Sequence, residues 1–431
     1  MPHRPALAPV FDRRHRWKVL GVGVAANACF SAAINGLPTA AVLVRSGYQL
    51  DNAALGLVLG LMGLGVALGE LPWGLLTDRW GDRPVLLLGL GSTAAALAAM
   101  ALWGSPSAGH VPGLALLACG LLLVGLLGGS VNGSSGRAVM TWFGPEERGL
   151  AMSIRQTAIP LGGGLGALVL PALALHQGFA AVYALLATAC VVTAMLTWRW
   201  LHEPAGPVAT AAVADAGSPA PGPLRDRQIW RLVLAIGILC APQFAILSFG
   251  TVFLHDVLHA GTAVTTAAMV ALQTGAMVMR IASGRWTDRH GHRRGYLRAC
   301  TGLSVLLFAV LAAAALYAGR AVPHTALTVA VAVWLALAGT CVSAWHGVAY
   351  AELATLAGAR RVGTALGMAN TAVFVVCFAT PLAIGQGLPL AGWGGVWLGA
   401  ACCALAALPL FALARGQRQA KLRNTSSNCA T

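Results

Sequence analysis

Charge is scarce in this chain. Asp, Glu, Lys and Arg together make up 10% of its 431 residues, and only 13 residues are acidic. The hydrophobic share is 58% and the mean hydropathy is +0.74. A water-soluble protein of this length has no interior large enough for that much apolar side chain. Alternation of apolar and polar residues is also missing, which excludes an outer-membrane barrel. The ten cysteines show no CxxC spacing, so neither a disulfide framework nor a zinc site is expected. No nucleophile constellation and no phosphate-binding glycine loop occurs, which argues against an intramembrane enzyme and against ATP as energy source. The expectation is a protein with no cofactor and no metal.

What the chain has instead is a series of long apolar runs. Each is about 20 residues or more, the length that crosses ~30 Å of hydrocarbon as a helix. The runs give twelve spans, at 17–44, 51–76, 85–103, 113–141, 149–175, 178–200, 230–254, 263–284, 296–318, 326–355, 363–388 and 392–414. The class is an all-α membrane protein. The basic N-terminal stretch precedes an apolar run too long for a signal peptide, so it reads as a retained first helix.

The formal net charge is +15. Its placement argues against nucleic acid as the partner. With the N-terminus inside, 23 of the 28 Lys and Arg fall in cytoplasmic segments, and the outer loops hold two, Arg45 and Arg320. This asymmetry follows the positive-inside rule and predicts both termini in the cytoplasm.

One charged decapeptide is written twice. GLLTDRWGDR runs from Gly74 to Arg83 and GRWTDRHGHR from Gly284 to Arg293, with six identities at an offset of 210. Trp17-Lys18 and Trp230-Arg231 open the first and seventh spans at offset 213. RGLAMSIRQTA, from Arg148, and VGTALGMANTA, from Val362, share four identities at offset 214. Three matches at nearly one offset indicate duplication of a six-helix unit. Between the copies lies a Pro-, Ala- and Gly-rich linker. The expected organisation is a tail at 1–16, a six-helix bundle at 17–201, a linker at 202–229, a second bundle at 230–414 and a tail at 415–431.

With these features the chain resembles the major facilitator superfamily over roughly residues 15 to 415. The most specific element is the loop motif between the second and third spans, here Gly74, Asp78, Arg79, Gly81 and Arg83. Its repeat between the eighth and ninth spans is Gly284, Asp288, Arg289, Gly291 and Arg293. Asp82, and His292 in the second copy, stand where many members carry a basic residue. The resemblance implies two pseudo-symmetric six-helix bundles that rock about a central site. It also implies that Asp78 contacts the start of the eleventh helix and Asp288 the start of the fifth. The decapeptides would then be a paired latch. The plainer alternative is a topology anchor. Physically, Gly81 and Gly291 suit a tight connection, and Gly74 and Gly284 allow close helix approach.

Ionisable groups inside the spans are functional candidates. Glu70 and Arg280 each precede the decapeptide aspartate by eight residues, which places both ~12 Å in from the loops. Arg155 lies in the fifth span and Arg137 near the cytoplasmic end of the fourth. Each has a structural alternative: pairing with Glu70 or another acid for Arg155 and Arg280, and a helix-end charge meeting the Asp78 loop for Arg137. Glu352 reads as half of a salt-bridged helix end with Arg360. His255 and His259 flank Asp256 without an evident third metal ligand. The resemblance puts the first, fourth, seventh and tenth helices around the central cavity. Asn27, Ser31 and Asn35 share one face of the first. Gln243 and Ser248 lie on the seventh, and Thr340, Ser343, His346 and Tyr350 on the tenth. Cavity contact and interhelical hydrogen bonding remain alternatives for these groups.

The sequence therefore predicts a monomeric, multi-pass transporter of a bacterial inner membrane. It would move a small-molecule substrate through the lipid bilayer, with protons as coupling ion. Three intramembrane arginines against two acids tilt the substrate toward a small organic anion. A proton-coupled exporter of drugs or hydrophobic cations is the alternative, and the glycine-rich Ile159–Pro171 stretch weakly favours it. A non-transporting solute sensor is a third reading, weakened by the short stretch after Leu413.

Overall fold

The computed structural model describes residues 14–107, 109–143, 147–202, 223–320, 322, 324–358 and 362–411. Among them the regular structure is helical. Ten continuous stretches are long and apolar enough to cross a membrane. The first comprises α1 (His15–Ser31), a wide turn at Ala32–Gly36, a tight turn at Leu37–Ala40 and α2 (Ala41–Gly47). Next come α3 (Asn52–Trp80) and α4 (Asp82–Trp103). The fourth stretch is α5 (Leu114–Gly128) continued by α6 (Ser130–Trp142), and the fifth is α7 (Arg148–Trp200). In the second half follow α8 (Arg227–Leu258), α9 (Thr262–His290) and α10 (Arg293–Ala318). Then α11 (Thr325–Ser343) and α12 (His346–Ala357) form one interrupted stretch, and α13 (Val362–Ala407) closes the series.

Ten stretches and twelve expected spans are reconciled by two glycines. α7 has 53 residues, which as one straight rod would reach ~80 Å, far beyond a bilayer. Gly178 breaks it with φ 79° and ψ 178°, and Gly392 breaks α13 with φ 61° and ψ 179°. These angles favour glycine. The two glycines lie 214 residues apart, the same offset as the repeated segments. Each break falls where the sequence divides the fifth span from the sixth and the eleventh from the twelfth.

Both decapeptide loops turn on a glycine with positive φ, Gly81 at 87° and Gly291 at 67°. They lie at the same end of the molecule, here the loop face. Arg45, Asp51, Gly178, Leu258 and Gly392 mark the opposite, far face. Close backbone approach holds the helices within the first half. A Cβ at Gly36 would sit 2.8 Å from the Gly166 Cα, and one at Gly162 would sit 2.1 Å from the Ala28 carbonyl oxygen. α1 therefore packs on α7 with no side chain between them, and the chain distorts at Ala32–Gly36 where they meet.

The halves touch along α3 and α13, and along α7 and α9. A Cβ at Gly56 would lie 2.2 Å from the Pro381 carbonyl oxygen, at Gly60 2.6 Å from that of Phe378, and at Gly63 2.8 Å from the Cys377 Sγ. Gly163 meets Gln273 in the same way, at 2.2 Å. All these contacts lie in the far half of the helices. Toward the loop face, a Cβ at Gly74, Gly284 or Gly367 would meet nothing within 4 Å. The close approach expected at Gly74 and Gly284 is thus absent in this conformation, because the halves meet at the far face and part at the loop face.

Candidate functional site

Two polar groups mark equivalent stations on the parted faces. Helix α3 turns Gly56, Gly60 and Gly63 toward the other half, and Glu70 lies seven residues beyond Gly63 on that face. Helix α9 turns Gln273 toward the other half, and Arg280 lies seven residues beyond Gln273. Both stand just where the halves separate.

In the first half Glu70 and Arg155 are both partnered. Arg155 is 5% exposed. Its Nε donates to the Ser135 Oγ at 3.1 Å, and its Nη2 donates to that oxygen at 2.9 Å, to the Asn132 carbonyl at 2.7 Å and to the Asn27 Oδ1 at 3.4 Å. The Asn132 Nδ2 donates to the Glu70 Oε1 at 2.7 Å. Glu70 and Arg155 also interact electrostatically, so Asn132 holds an acid with its side chain and a base with its carbonyl. Asn27 donates to Ser135 at 3.0 Å and to the Gly23 carbonyl at 2.8 Å. Ser31 donates to the Ile159 carbonyl at 2.5 Å, and Asn35 donates to Ser31 at 2.9 Å. Asn27 and Ser31 thus bond across to α6 and α7, while the Asn35 bond stays within its own helical stretch.

The second half has the opposite character. Among the described residues the Arg280 side chain makes no hydrogen bond or ion pair, and its Nε is buried without a partner. The Gln243 Oε1, the Trp345 Nε1 and the His346 Nδ1 are orphaned in the same way. Tyr350, Cys240 and His346 lie within electrostatic range of Arg280. Trp345 and His346 stack with ring centroids 3.9 Å apart. They occupy the break between α11 and α12, and Ser283 Oγ ties α9 to that break through the Ala344 carbonyl at 3.2 Å. Tyr350 donates to the Asn370 Oδ1 at 2.8 Å. Ser343 is buried beside the same break, and Ser248 donates to the Phe244 carbonyl at 2.5 Å.

Asn132 was not singled out by its own sequence context. The signal lay in the repeat: Asn132 and His346 are 214 residues apart, just as Glu70 and Arg280 are 210 apart. The same two stations hold acid and amide in one half, guanidinium and imidazole in the other.

At the loop face, Arg137 donates to the Thr77 carbonyl and lies 3.6 Å from both Asp78 and Asp82. Asp82, the departure from the family pattern, thereby becomes part of the charge set that anchors α6 to the loop. Asp78 is 78% exposed, and Asp288, paired with Arg293 at 3.1 Å, is 68% exposed. Arg79 and Arg289 are exposed on the same loops, while Arg83 donates to the Trp198 carbonyl at 2.7 Å. The side chains that open the fifth and eleventh spans, at 148–150 and 362–363, lie outside the described residues, and with them the expected contacts of Asp78 and Asp288. Arg360 lies outside them too, and Glu352 is held instead by the Arg294 Nε at 2.6 Å.

At the far face Arg45 grips Asp256 with both terminal nitrogens, at 2.6 and 2.5 Å, and donates to the Asn52 Oδ1 at 2.9 Å. His255 Nδ1 adds a fourth contact, 2.8 Å from Asp256. The His255–Asp256–His259 segment is thus one side of an ion pair between the halves. Among the described residues no group of three or more metal-ligating side chains occurs.

A model of the Major Facilitator Superfamily matches residues 21–381. The chain belongs to the major facilitator superfamily. It is 31% identical over 398 residues, 92% of its own length and 84% of the relative's, to an uncharacterized MFS-type transporter of Mycobacterium tuberculosis. It is 27% identical over 182 residues, 41% and 40% of the two chains, to a probable anion transporter of Oryza sativa. Its backbone follows that of a bacterial homolog of the human lysosomal transporter Spinster, solved inward-facing and occupied. The TM-score is 0.68 at 14% identity, over 93% of this chain and 95% of the other. This major facilitator is a multi-pass membrane transporter and not an enzyme.

Proposed function

We propose that this transporter carries a small organic anion by alternating access, that Arg280 holds the anion, and that protons drive the cycle. The observation that carries the reading is the contrast between the two intramembrane arginines, Arg155 buried and Arg280 partly exposed with only its Nε shut off from solvent. Arg155 has Ser135, Asn132, Asn27 and the field of Glu70, whereas Arg280 has no hydrogen-bonding partner among the described residues. A partly buried guanidinium without a counter-charge inside a span is unfavourable, and an anionic ligand relieves it with charge-assisted, bidentate bonds. The partial match to a probable anion transporter supports the same substrate class.

On the positive-inside rule we read the loop face as cytoplasmic, in a bacterial inner membrane, and on that reading the conformation described is open inward. Glu70 is the acid at the parted interface, held by Asn132, and is the group we assign to the coupling proton. Asp78 and Asp288, exposed here, re-form cytoplasmic contacts when the halves close on that side.

A thermal-shift screen of purified protein tests the reading. Carboxylates, inorganic anions and hydrophobic cations are run against wild type and Arg280→Ala. A ligand that binds the folded state raises apparent stability. Stabilisation by an anion, lost in the variant, is expected. Stabilisation by cations alone, unchanged in the variant, replaces this reading with export of hydrophobic cations.

A further inference from the structure

The orphaned groups of the second half do not all ask for the same chemistry. The Arg280 Nε–H is a charged donor. The Gln243 Oε1 is an acceptor without a partner, and the His346 ring has only the backbone of Ser343 near it, with no side-chain partner. A carboxylate has only acceptor oxygens, so it satisfies Arg280 and leaves the Gln243 oxygen bare. A buried acceptor left bare weakens binding. The ligand that satisfies all three carries hydrogen-bond donors beside its carboxylate.

Two kinds of donor are common on small acids, hydroxyl and ammonium. Arg280 disfavours the second. Its charge already acts on His346, and the acids that could offset an ammonium are engaged elsewhere: Glu70 with Asn132 and Arg155, Glu352 with Arg294. A hydroxyl is neutral and both donates and accepts, so it serves either ring tautomer of His346.

Helix geometry sets the spacing. Helices α8, α9 and α11 meet at one level, where a Cβ at Gly339 would touch Leu272 at 2.1 Å and Ile246 at 3.4 Å. Counted toward the loop face, Gln243 lies three residues from that level, His346 seven and Arg280 eight. At the helical rise these are depths of about 5, 10 and 12 Å. Arg280 and His346 are nearly level, and Gln243 lies some 6–7 Å farther toward the far face. Cys240, one turn from Gln243 on α8, lies within electrostatic range of Arg280, so that face of α8 is turned toward the same place.

From the juxtaposition of Arg280, His346 and Gln243, and resting on the anion reading above, we infer that the substrate is a hydroxylated monocarboxylate: its carboxylate lies on Arg280, the hydroxyl on the adjacent carbon on His346, and a hydroxyl several carbons along on Gln243. One free guanidinium matches one carboxylate.

A matched trio tests this on the purified full-length protein. Lactate, propionate and alanine differ only in whether hydroxyl, hydrogen or ammonium sits beside the carboxylate, and gluconate extends the hydroxylated chain. Dissociation constants come from calorimetry or thermal shift on wild type, Arg280→Gln and Gln243→Leu. Lactate is expected to bind about tenfold or more tighter than propionate, since a site built to bond a hydroxyl rejects the analogue without it. Gluconate is expected to bind tighter than lactate, an advantage that disappears in Gln243→Leu while lactate binding remains. Equal binding of lactate and propionate overturns the hydroxyl inference and leaves the anion reading standing. Preferred binding of alanine overturns it in favour of a zwitterionic substrate. If none of the four binds but hydrophobic cations do, the anion reading fails with it.

Discussion

Arg45 and Asp256 join the two halves of the molecule at the far face by a bidentate ion pair whose side chains are 20% and 24% exposed. Arg45 closes the first span and Asp256 the seventh, the equivalent helices of the two repeats. The pair exists only while the far face is shut, so it biases the equilibrium between the two openings. A charge-assisted pair of this burial is worth about 1–3 kcal/mol, roughly 5- to 150-fold in population. Asp256→Asn is expected to shift the protein toward the far-face-open state. Modification of cysteines placed at the far ends of α2 and α8 then becomes faster. The exchange Arg45→Asp with Asp256→Arg is expected to restore slow modification. Unchanged accessibility in Asp256→Asn means the pair has no gating weight.

Gly56 and Gly74 lie on one helix but predict opposite behaviour. A Cβ at Gly56 meets the Pro381 carbonyl at 2.2 Å, whereas one at Gly74 meets nothing within 4 Å. Gly56→Leu is expected to lower the melting temperature, since overpacking there costs about 1–3 kcal/mol or more. Gly74→Leu is expected to leave stability intact and to block transport by obstructing closure of the loop face. Full transport by Gly74→Leu shows that α3 does not approach its neighbour there at any point in the cycle.

Asp78 carries the latch proposal. Asp78→Asn is expected to reduce transport at normal membrane insertion, and cysteine modification at the loop face rises. Arg137→Gln is expected to act differently. It removes the donor to the Thr77 carbonyl and the charge between Asp78 and Asp82, and it lowers thermal stability as well. Normal transport by correctly inserted Asp78→Asn leaves the decapeptide as a topology anchor only.

Asn132 links the acid to the base. Asn132→Leu removes the Glu70 hydrogen bond but keeps the backbone carbonyl that Arg155 uses. We expect the pH profile of uptake to move while binding of anion at saturating proton concentration persists. Glu70→Gln is expected to abolish the proton dependence altogether. An unaltered pH profile in both variants removes Glu70 from the coupling path.

Much of the fold was legible because it rests on periodic, local signals. Apolar run length marked the spans, and the offset of 210 to 214 marked the duplication. Even the breaks at Gly178 and Gly392 obey that offset. Partnership was less legible. Asn27, Ser31 and Asn35 share a helical face in the sequence, but only packing decides that this face meets α6 and α7 within one half. Arg45 read as a loop charge, because its partner Asp256 lies 211 residues away and the ion pair forms only when the halves meet. Arg155 and Arg280 look alike as lone arginines in apolar runs. What separates them is that Asn132 and Ser135 stand beside one and bond it, while the side chain of the other makes no hydrogen bond among the described residues.

The most direct test is exchange of labelled acetate, lactate and succinate by proteoliposomes, with wild type, Arg280→Gln and Arg155→Gln compared at equal protein insertion. The account predicts exchange of at least one carboxylate by wild type and its loss in Arg280→Gln at unchanged melting temperature. Arg155→Gln should instead lose stability, because it strips partners from Ser135, Asn132 and Glu70. Carboxylate exchange that continues undiminished in Arg280→Gln contradicts the account.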